Sequence, residues 1–217
     1  PLEEEQIQLF FSDIEPLAAS KVLLRLEKES LSIGERVLAQ ELQLTVRGQD
    51  KIGIIGPNGV GKSTLLGKLQ QLLSDKSEIS LGFMPQDYQE TLQLDLSPVE
   101  FLSQTGHKEE LQKIQSFLAS LNFSYPEMHH QIRSLSGGQQ GKLLLLNLVL
   151  RKPNFLILDE PTRNFSPTSQ PEIRKLFATY PGGLITVSHD RRFLKEVCRS
   201  IYRLTEHGLE VVDLQDL

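Results

Sequence analysis

Gly56-Pro57-Asn58-Gly59-Val60-Gly61-Lys62-Ser63 is the stretch on which the reading of this chain turns. Two glycines separated by four residues, then lysine and a hydroxyl residue, give the spacing of a phosphate-cradling loop, whose backbone N–H groups turn toward anionic oxygens at a helix start. The flanks agree with that reading. Before it, Lys51-Ile52-Gly53-Ile54-Ile55 is almost wholly apolar, as a strand covered on both faces must be. After it, apolar residues recur at helical spacing from Lys62 to Leu73. Gly56 through Ser63, with Thr64 beyond, are therefore candidate triphosphate-binding residues. Lys62 is placed to reach the β- and γ-phosphates and Ser63 to ligate Mg²⁺.

Composition bounds the remainder. A chain of 217 residues with 39% hydrophobic and 24% charged residues is globular, neither a disordered polyelectrolyte nor a membrane protein. Its most apolar stretch, Leu143 to Leu150, is interrupted by Asn147 and falls short of the roughly 18 to 20 residues that span a bilayer. A net charge of -5 argues against holding bare nucleic acid by the overall field. The pairs Arg191-Arg192 and Arg151-Lys152 read as ordinary surface, with an RNA contact the alternative. One cysteine, Cys198, excludes an internal disulfide, and no secretory pattern is present, so a cytoplasmic location is expected. Cys198 reads as a small buried hydrophobe. The chain opens on Pro1, not Met, and is expected to be processed or a piece of something longer; its one charge run is Glu3-Glu4-Glu5.

A single domain is expected, with no internal repeat. Val22 to Glu27 and Arg36 to Val46 alternate as strands of a partly exposed antiparallel sheet. A strand is predicted over Glu78 to Met84. Ser97-Pro98-Val99-Glu100 has an N-cap serine, proline in the first turn and a capping-box glutamate, so a helix starts there. Lys108 to Leu121 is amphipathic. A helix after Ser136, apolar on nearly every side from Leu143 to Leu150, should lie deep. Strand Phe155–Leu158, helix Pro171–Thr179, strand Leu184–Val187 and helix Arg191–Val197 then alternate, which argues for a parallel sheet flanked by helices. A closing hairpin runs through Ile201–Leu204 and Leu209–Val212.

Phe155-Leu156-Ile157-Leu158-Asp159-Glu160 is an apolar strand ending in two acids. Burying two carboxylates costs several kcal/mol unless a cation or proton offsets it. Mg²⁺ would supply the offset at Asp159, and Glu160 is placed to polarise an attacking water. Alone, the pair would read equally well as a solvated acidic turn. Leu135-Ser136-Gly137-Gly138-Gln139 marks the start of the buried helix; Ser136 alone would be a plain N-cap, and His189 alone a structural histidine at a strand end. His129-His130 has no cysteine or acid at metal-ligand spacing and reads as a loop or helix end.

Taken in order, the phosphate loop, Gln86 in Met84-Pro85-Gln86-Asp87, Leu135 to Gln139, Asp159-Glu160 and His189 resemble the ATP-binding cassette (ABC) superfamily over nearly the whole chain. The resemblance implies an α/β P-loop NTPase fold of ABC type, with a parallel core sheet, an N-terminal antiparallel β subdomain and a small α-helical subdomain. Residues 21–85 and 150–217 would form the core and β subdomain, residues 86–149 the helical subdomain and signature helix. It further implies that Ser136, Gly137, Gly138 and Gln139 bind ATP held by a second, facing cassette, that Gln86 serves Mg²⁺ beside Ser63 and Asp159, and that His189 senses the γ-phosphate and joins Glu160 and Lys62 in catalysis.

Residues 135–142 and Val187-Ser188-His189-Asp190-Arg191-Arg192-Phe193-Leu194 are similar to the ABC-F branch, soluble two-cassette proteins that act on ribosomes, and the short insert suits a second cassette. The implied activity is ATP hydrolysis, slow in an isolated domain, with a transporter's ATP-binding subunit docked on a transmembrane permease as the alternative. Two positions depart from the family pattern. Ile33 stands where an aromatic ring usually stacks on adenine, and Arg163-Asn164-Phe165-Ser166 replaces Asn-His-Leu-Asp, removing a carboxylate that communicates between paired cassettes.

Overall fold

The chain is described here by a computed structural model covering Phe11 and residues 13–217. The charge run Glu3-Glu4-Glu5 lies outside the described residues. Among the described residues eight strands and seven α-helices follow in the order β1 (Val22–Ile33), β2 (Arg36–Arg47), β3 (Lys51–Ile55), α1 (Lys62–Ser74), β4 (Leu81–Met84), α2 (Pro98–Leu102), α3 (Lys108–Ser120), α4 (Tyr125–His129), α5 (Gly137–Leu150), β5 (Phe155–Asp159), α6 (Gln170–Ala178), β6 (Gly183–Val187), α7 (Arg191–Val197), β7 (Ser200–Thr205) and β8 (Gly208–Val212).

The central sheet has the order β4-β5-β6-β3-β7-β8. Every neighbouring pair is parallel except β7–β8, which closes the edge as an antiparallel hairpin. The apolar runs explain why its middle is buried on both faces. Along β5, Phe155 and Ile157 pack with α1 and the β1–β2 ribbon, while Leu156 and Leu158 pack with the α5 side. Ile185 and Val187 of β6 share the first layer, and Leu184 the second. Helix α5 contributes Leu143 through Leu146 to the second layer, all buried, as four consecutive leucines require. Cys198 is buried beside Gly53, where an added Cβ would come within 2.7 Å of Ile201 and Leu194, and burial pushes its thiol up to about 12.

β1 and β2 form a separate antiparallel ribbon, with β1 extending past Glu27 to Ile33 through several register shifts. Those bulges keep the long ribbon paired while bending it over α1. Gln40 N–H donates to Glu206 C=O at 2.9 Å, tying the ribbon to the β7–β8 turn.

One local expectation is corrected. The strand expected from Glu78 begins at Leu81, because Asn154 takes the preceding backbone for itself. Its amide donates to Glu78 C=O at 3.0 Å, and its carbonyl accepts Ser80 N–H at 2.8 Å. Helix α2 starts at the expected cap, where both halves of the Ser97/Glu100 capping box form, and runs for five residues. Helix α4 was not expected, although Ser124 and Glu127 make the same capping box; its five residues are too few for periodicity to register.

Leu69 lies at 0% exposure between the sheet and the ribbon. Leu69→Ala is expected to lower unfolding free energy by about 2–5 kcal/mol, read from denaturant midpoints.

Candidate functional site

Parallel strands present their C-terminal ends on one edge of the sheet, and three of them carry the residues singled out above. In register, Val187 pairs with both Asp159 and Ile54. The residues that follow, Glu160, Ser188-His189 and Ile55-Gly56, therefore emerge side by side. Glu160 and His189 line a cleft of roughly 710 Å³ together with Lys62, Ser63 and Gln86.

The loop that closes this cleft depends on glycine at two points. Gly59 and Gly61 have φ of 83° and 111°, in the left-handed region that side chains disfavour. At Gly61 a Cβ would also meet Leu38 Cδ1 at 2.9 Å. Gly61 is the N-cap of α1 with no side-chain cap, so the first N–H groups of α1 are left for a ligand. Lys62 is only 8% exposed. Its ammonium donates to Gly56 C=O and, at 3.0 Å, to Pro57 C=O, so the loop's own carbonyls hold it under the cleft floor. Burial lowers its pKa, while Glu160 and Asp159 act in the opposite direction.

Asp159 ends β5 at 8% exposure. Its Oδ2 accepts from Ser63 Oγ at 3.3 Å, and its Oδ1 is buried without a partner among the described residues. Burial raises its pKa; the Ser63 hydrogen bond opposes this, and Glu160 and Glu90 add to it. An orphaned carboxylate oxygen beside a hydroxyl, with the Gln86 side chain on the same cleft, is the donor set a small hard cation takes, leaving its other positions to phosphate oxygens and water. The residues present fit Mg²⁺. Among the described residues no cluster of three His, Cys, Asp or Glu offers a protein-only metal cage.

Glu160 has φ of 50°, uncommon for a residue with a side chain and a form of strain that concentrates at functional sites. Its side chain, 10% exposed, accepts His189 N–H at 3.2 Å, and His189 Nε2 lies 3.6 Å from its other oxygen. His189 Nε2 also meets Asn58 Oδ1 at 3.1 Å, linking the strand-end histidine to the phosphate loop.

The serine-glycine helix start stands apart from this cleft. Ser136 and Gln139 form a capping box, and a Cβ on Gly137 or Gly138 would meet nothing within 4 Å. Gly137 borders an adjoining cleft shared with Gln86 and Asp159. His129 is exposed at the end of α4, its ring 4.4 Å from that of Tyr125. Ile33 does lie on the cleft, exposed. Sequence reasoning missed Arg36, Thr162, Gln170 and Asp190 as cleft residues. Asp190 carried a signal, since it precedes Arg191 as the N-cap of α7 and accepts from Phe193 N–H at 3.1 Å. Arg36 and Gln170 carried none, as each reaches the cleft only through folding.

The signature of the ABC transporter family matches residues 39–163. The chain is 31% identical over 210 residues to "Probable ATP-binding protein YheS" of Escherichia coli (strain K12), covering 94% of this chain and 33% of that protein. It is 27% identical over 219 residues to "ABC transporter F family member 2" of Arabidopsis thaliana, covering 96% of this chain and 32% of that protein. It thus spans about a third of the length of these curated relatives. Its fold is that of the ATP-binding cassette MJ0796, solved as a dimer in a post-hydrolysis state bound to ADP and Pi, with a TM-score of 0.72 and 18% identity over 88% of this chain and 98% of that one. No described helix is long and apolar enough to cross a membrane.

A carboxylate whose pKa is raised by folding binds its proton more tightly in the folded state, so its charge destabilises the fold as pH rises above the ordinary carboxylate range. Without Mg²⁺ or nucleotide, thermal unfolding of the wild type should lose stability across that window, and Asp159→Asn should flatten the loss; parallel profiles for the two chains would contradict it.

Proposed function

The chain belongs to the ABC transporter family as an ATP-binding cassette of ABC-F type, and from that premise we propose that it binds Mg²⁺–ATP in the cleft above α1 and hydrolyses it to ADP and phosphate while paired head-to-tail with a second cassette. The observation that carries this reading is the convergence of Lys62, Ser63, Asp159, Glu160 and His189 on one sheet edge. We read residues 21–85 and 150–217 as core and β subdomain, and residues 86–149 as the helical subdomain with its signature helix.

The phosphate loop from Gly56 to Thr64 holds the β- and γ-phosphates with its backbone N–H groups at the start of α1. Lys62 exchanges Gly56 and Pro57 carbonyls for phosphate oxygens, a trade of neutral acceptors for charged ones that favours the bound state. Ser63, Asp159 and Gln86 are the residues that would hold Mg²⁺, which when bound neutralises developing charge on the β- and γ-phosphate oxygens. Glu160 orients water in line with the γ-phosphorus and takes its proton as the new P–O bond forms and the bond to the bridging oxygen breaks. His189 holds the Glu160 carboxylate through its backbone N–H, and its ring, beside that carboxylate, is poised to meet the γ-phosphate.

Ser136 to Gln139 open α5 away from the cleft, uncovered, with backbone N–H groups and a hydroxyl suited to an anion. In our reading they close over the ATP of the facing cassette, whose own signature segment closes over this one. An isolated chain therefore holds half of each reaction centre and turns over slowly. ABC-F type similarity supports a cytoplasmic protein that works on the ribosome, with the second cassette in the same polypeptide or a second copy.

Glu160→Gln is expected to reduce phosphate release by about 10²–10⁴-fold while retaining ATP binding, measured by released phosphate and by equilibrium titration. Phosphate release unchanged by this substitution removes Glu160 from the mechanism. Turnover per wild-type chain should rise with protein concentration; a constant value rules out pairing. In cell fractionation the protein should follow ribosomes, and migration with membranes would overturn the ribosomal assignment.

A further inference from the structure

The cleft has two chemically different ends. One holds the phosphate loop, Lys62 and the acids at the tip of β5; the other is built by the β1–β2 ribbon, through Ile33, Arg36 and Leu38. That ribbon is seated directly on the loop, with Leu38 Cδ1 and Leu31 Cδ2 at 2.9 and 3.4 Å from where a Cβ on Gly61 would stand. Its tip therefore overhangs the cleft beyond the phosphates. Ile33 and Arg36 are the last cross-strand pair before the Gly34-Glu35 turn. Ile33 is 58% exposed, an apolar side chain at the mouth with nothing upon it.

A nucleoside triphosphate whose phosphates occupy the loop must put its base toward this end. Among the described residues no Phe, Tyr or Trp lines the cleft. The His189 ring is engaged with Glu160 and Asn58 at the acidic end. Arg163 follows Glu160 and borders the adjoining cleft as well, again on the acidic side. Among the described residues Arg36 alone brings a cationic planar group to the ribbon end, and no carboxylate pairs with it. A guanidinium lies flat on an aromatic face, combining stacking with cation–π attraction, whereas an ammonium supplies only a point charge.

We propose that the Arg36 guanidinium, flanked by the Ile33 side chain, is the platform on which the purine of the bound nucleotide rests, so that this cleft accepts purine nucleoside triphosphates with little preference between adenine and guanine. The proposal rests on the reading of the cleft as the Mg²⁺–ATP site. The low selectivity follows from the contact, because every purine presents a π-face and a stacked guanidinium reads no exocyclic group.

The test measures equilibrium binding of Mg²⁺–ATP and Mg²⁺–GTP to the full chain carrying Glu160→Gln, so that nucleotide persists during titration. Without nucleotide, Arg36→Ala should unfold at the same temperature as its parent, since Arg36 is exposed. It should bind ATP and GTP about tenfold more weakly, by a similar factor for each. Arg36→Lys should lose nearly as much, because the charge is kept and the plane is not. Arg36→Lys binding as the parent does would make Arg36 a point charge for phosphate, and unchanged binding by Arg36→Ala would remove it from the site; either overturns the proposal. Lys62→Ala serves as the reference. If ATP binding survives that substitution intact, the nucleotide lies elsewhere and the reading of the cleft itself falls, a result distinct from failure at Arg36 alone.

Discussion

Three parallel strands that can expose neither face bring their last residues into one line, and the site follows from that constraint. Ile55, Asp159 and Val187 end β3, β5 and β6 in neighbouring positions because the apolar runs before them are paired in register and covered by helices on one side and by α1 with the ribbon on the other. Charged groups excluded from those layers appear at the strand ends. The carboxylates of Asp159 and Glu160, the imidazole of His189 and the turn at Gly56 are thereby gathered without any long-range recognition between them.

The gathered charges are unbalanced, and that imbalance is what the cleft offers a ligand. Asp159 keeps one buried oxygen without a partner, and Lys62 is turned back on loop carbonyls. Each group lacks in the free protein the partner that a magnesium-bound triphosphate would bring. Positive φ at Gly59, Gly61 and Glu160 places the backbone in strained or glycine-only conformations around the same point. Such arrangements persist only when the surrounding packing over-determines them, as the buried layers on both sides of the sheet do here. The ribbon adds a second constraint, since Leu31 and Leu38 resting on Gly61 fix the height of the hairpin tip over the cleft mouth.

Legibility in the sequence followed the range of the interaction involved. The capping box at Ser97 and the N-cap at Ser136 act over three residues, and both stand where the sequence put them. The phosphate loop is likewise local, with its glycines, Lys62 and Ser63 in one stretch. The start of β4 was misread because Asn154, 76 residues away from Glu78, captures the backbone there. The length of β1 was understated because its bulges break the alternation on which a strand is recognised. Arg36 and Gln170 gave no sign, as neither lies in a chemical pattern and each joins the cleft through contacts remote in sequence.

The sequence alone determined the class of fold, the order of elements and the identity of the phosphate loop, because hydrophobic period, caps and glycine spacing act over a few residues. Which groups share a cleft was decided only by the tertiary structure. The pairing of Val187 with both Asp159 and Ile54, the meeting of His189 with Asn58 and the overhang of Arg36 each require strands distant in the chain to lie side by side. Register and packing between such strands are cooperative properties of the whole sheet, and no local pattern of residues encodes them.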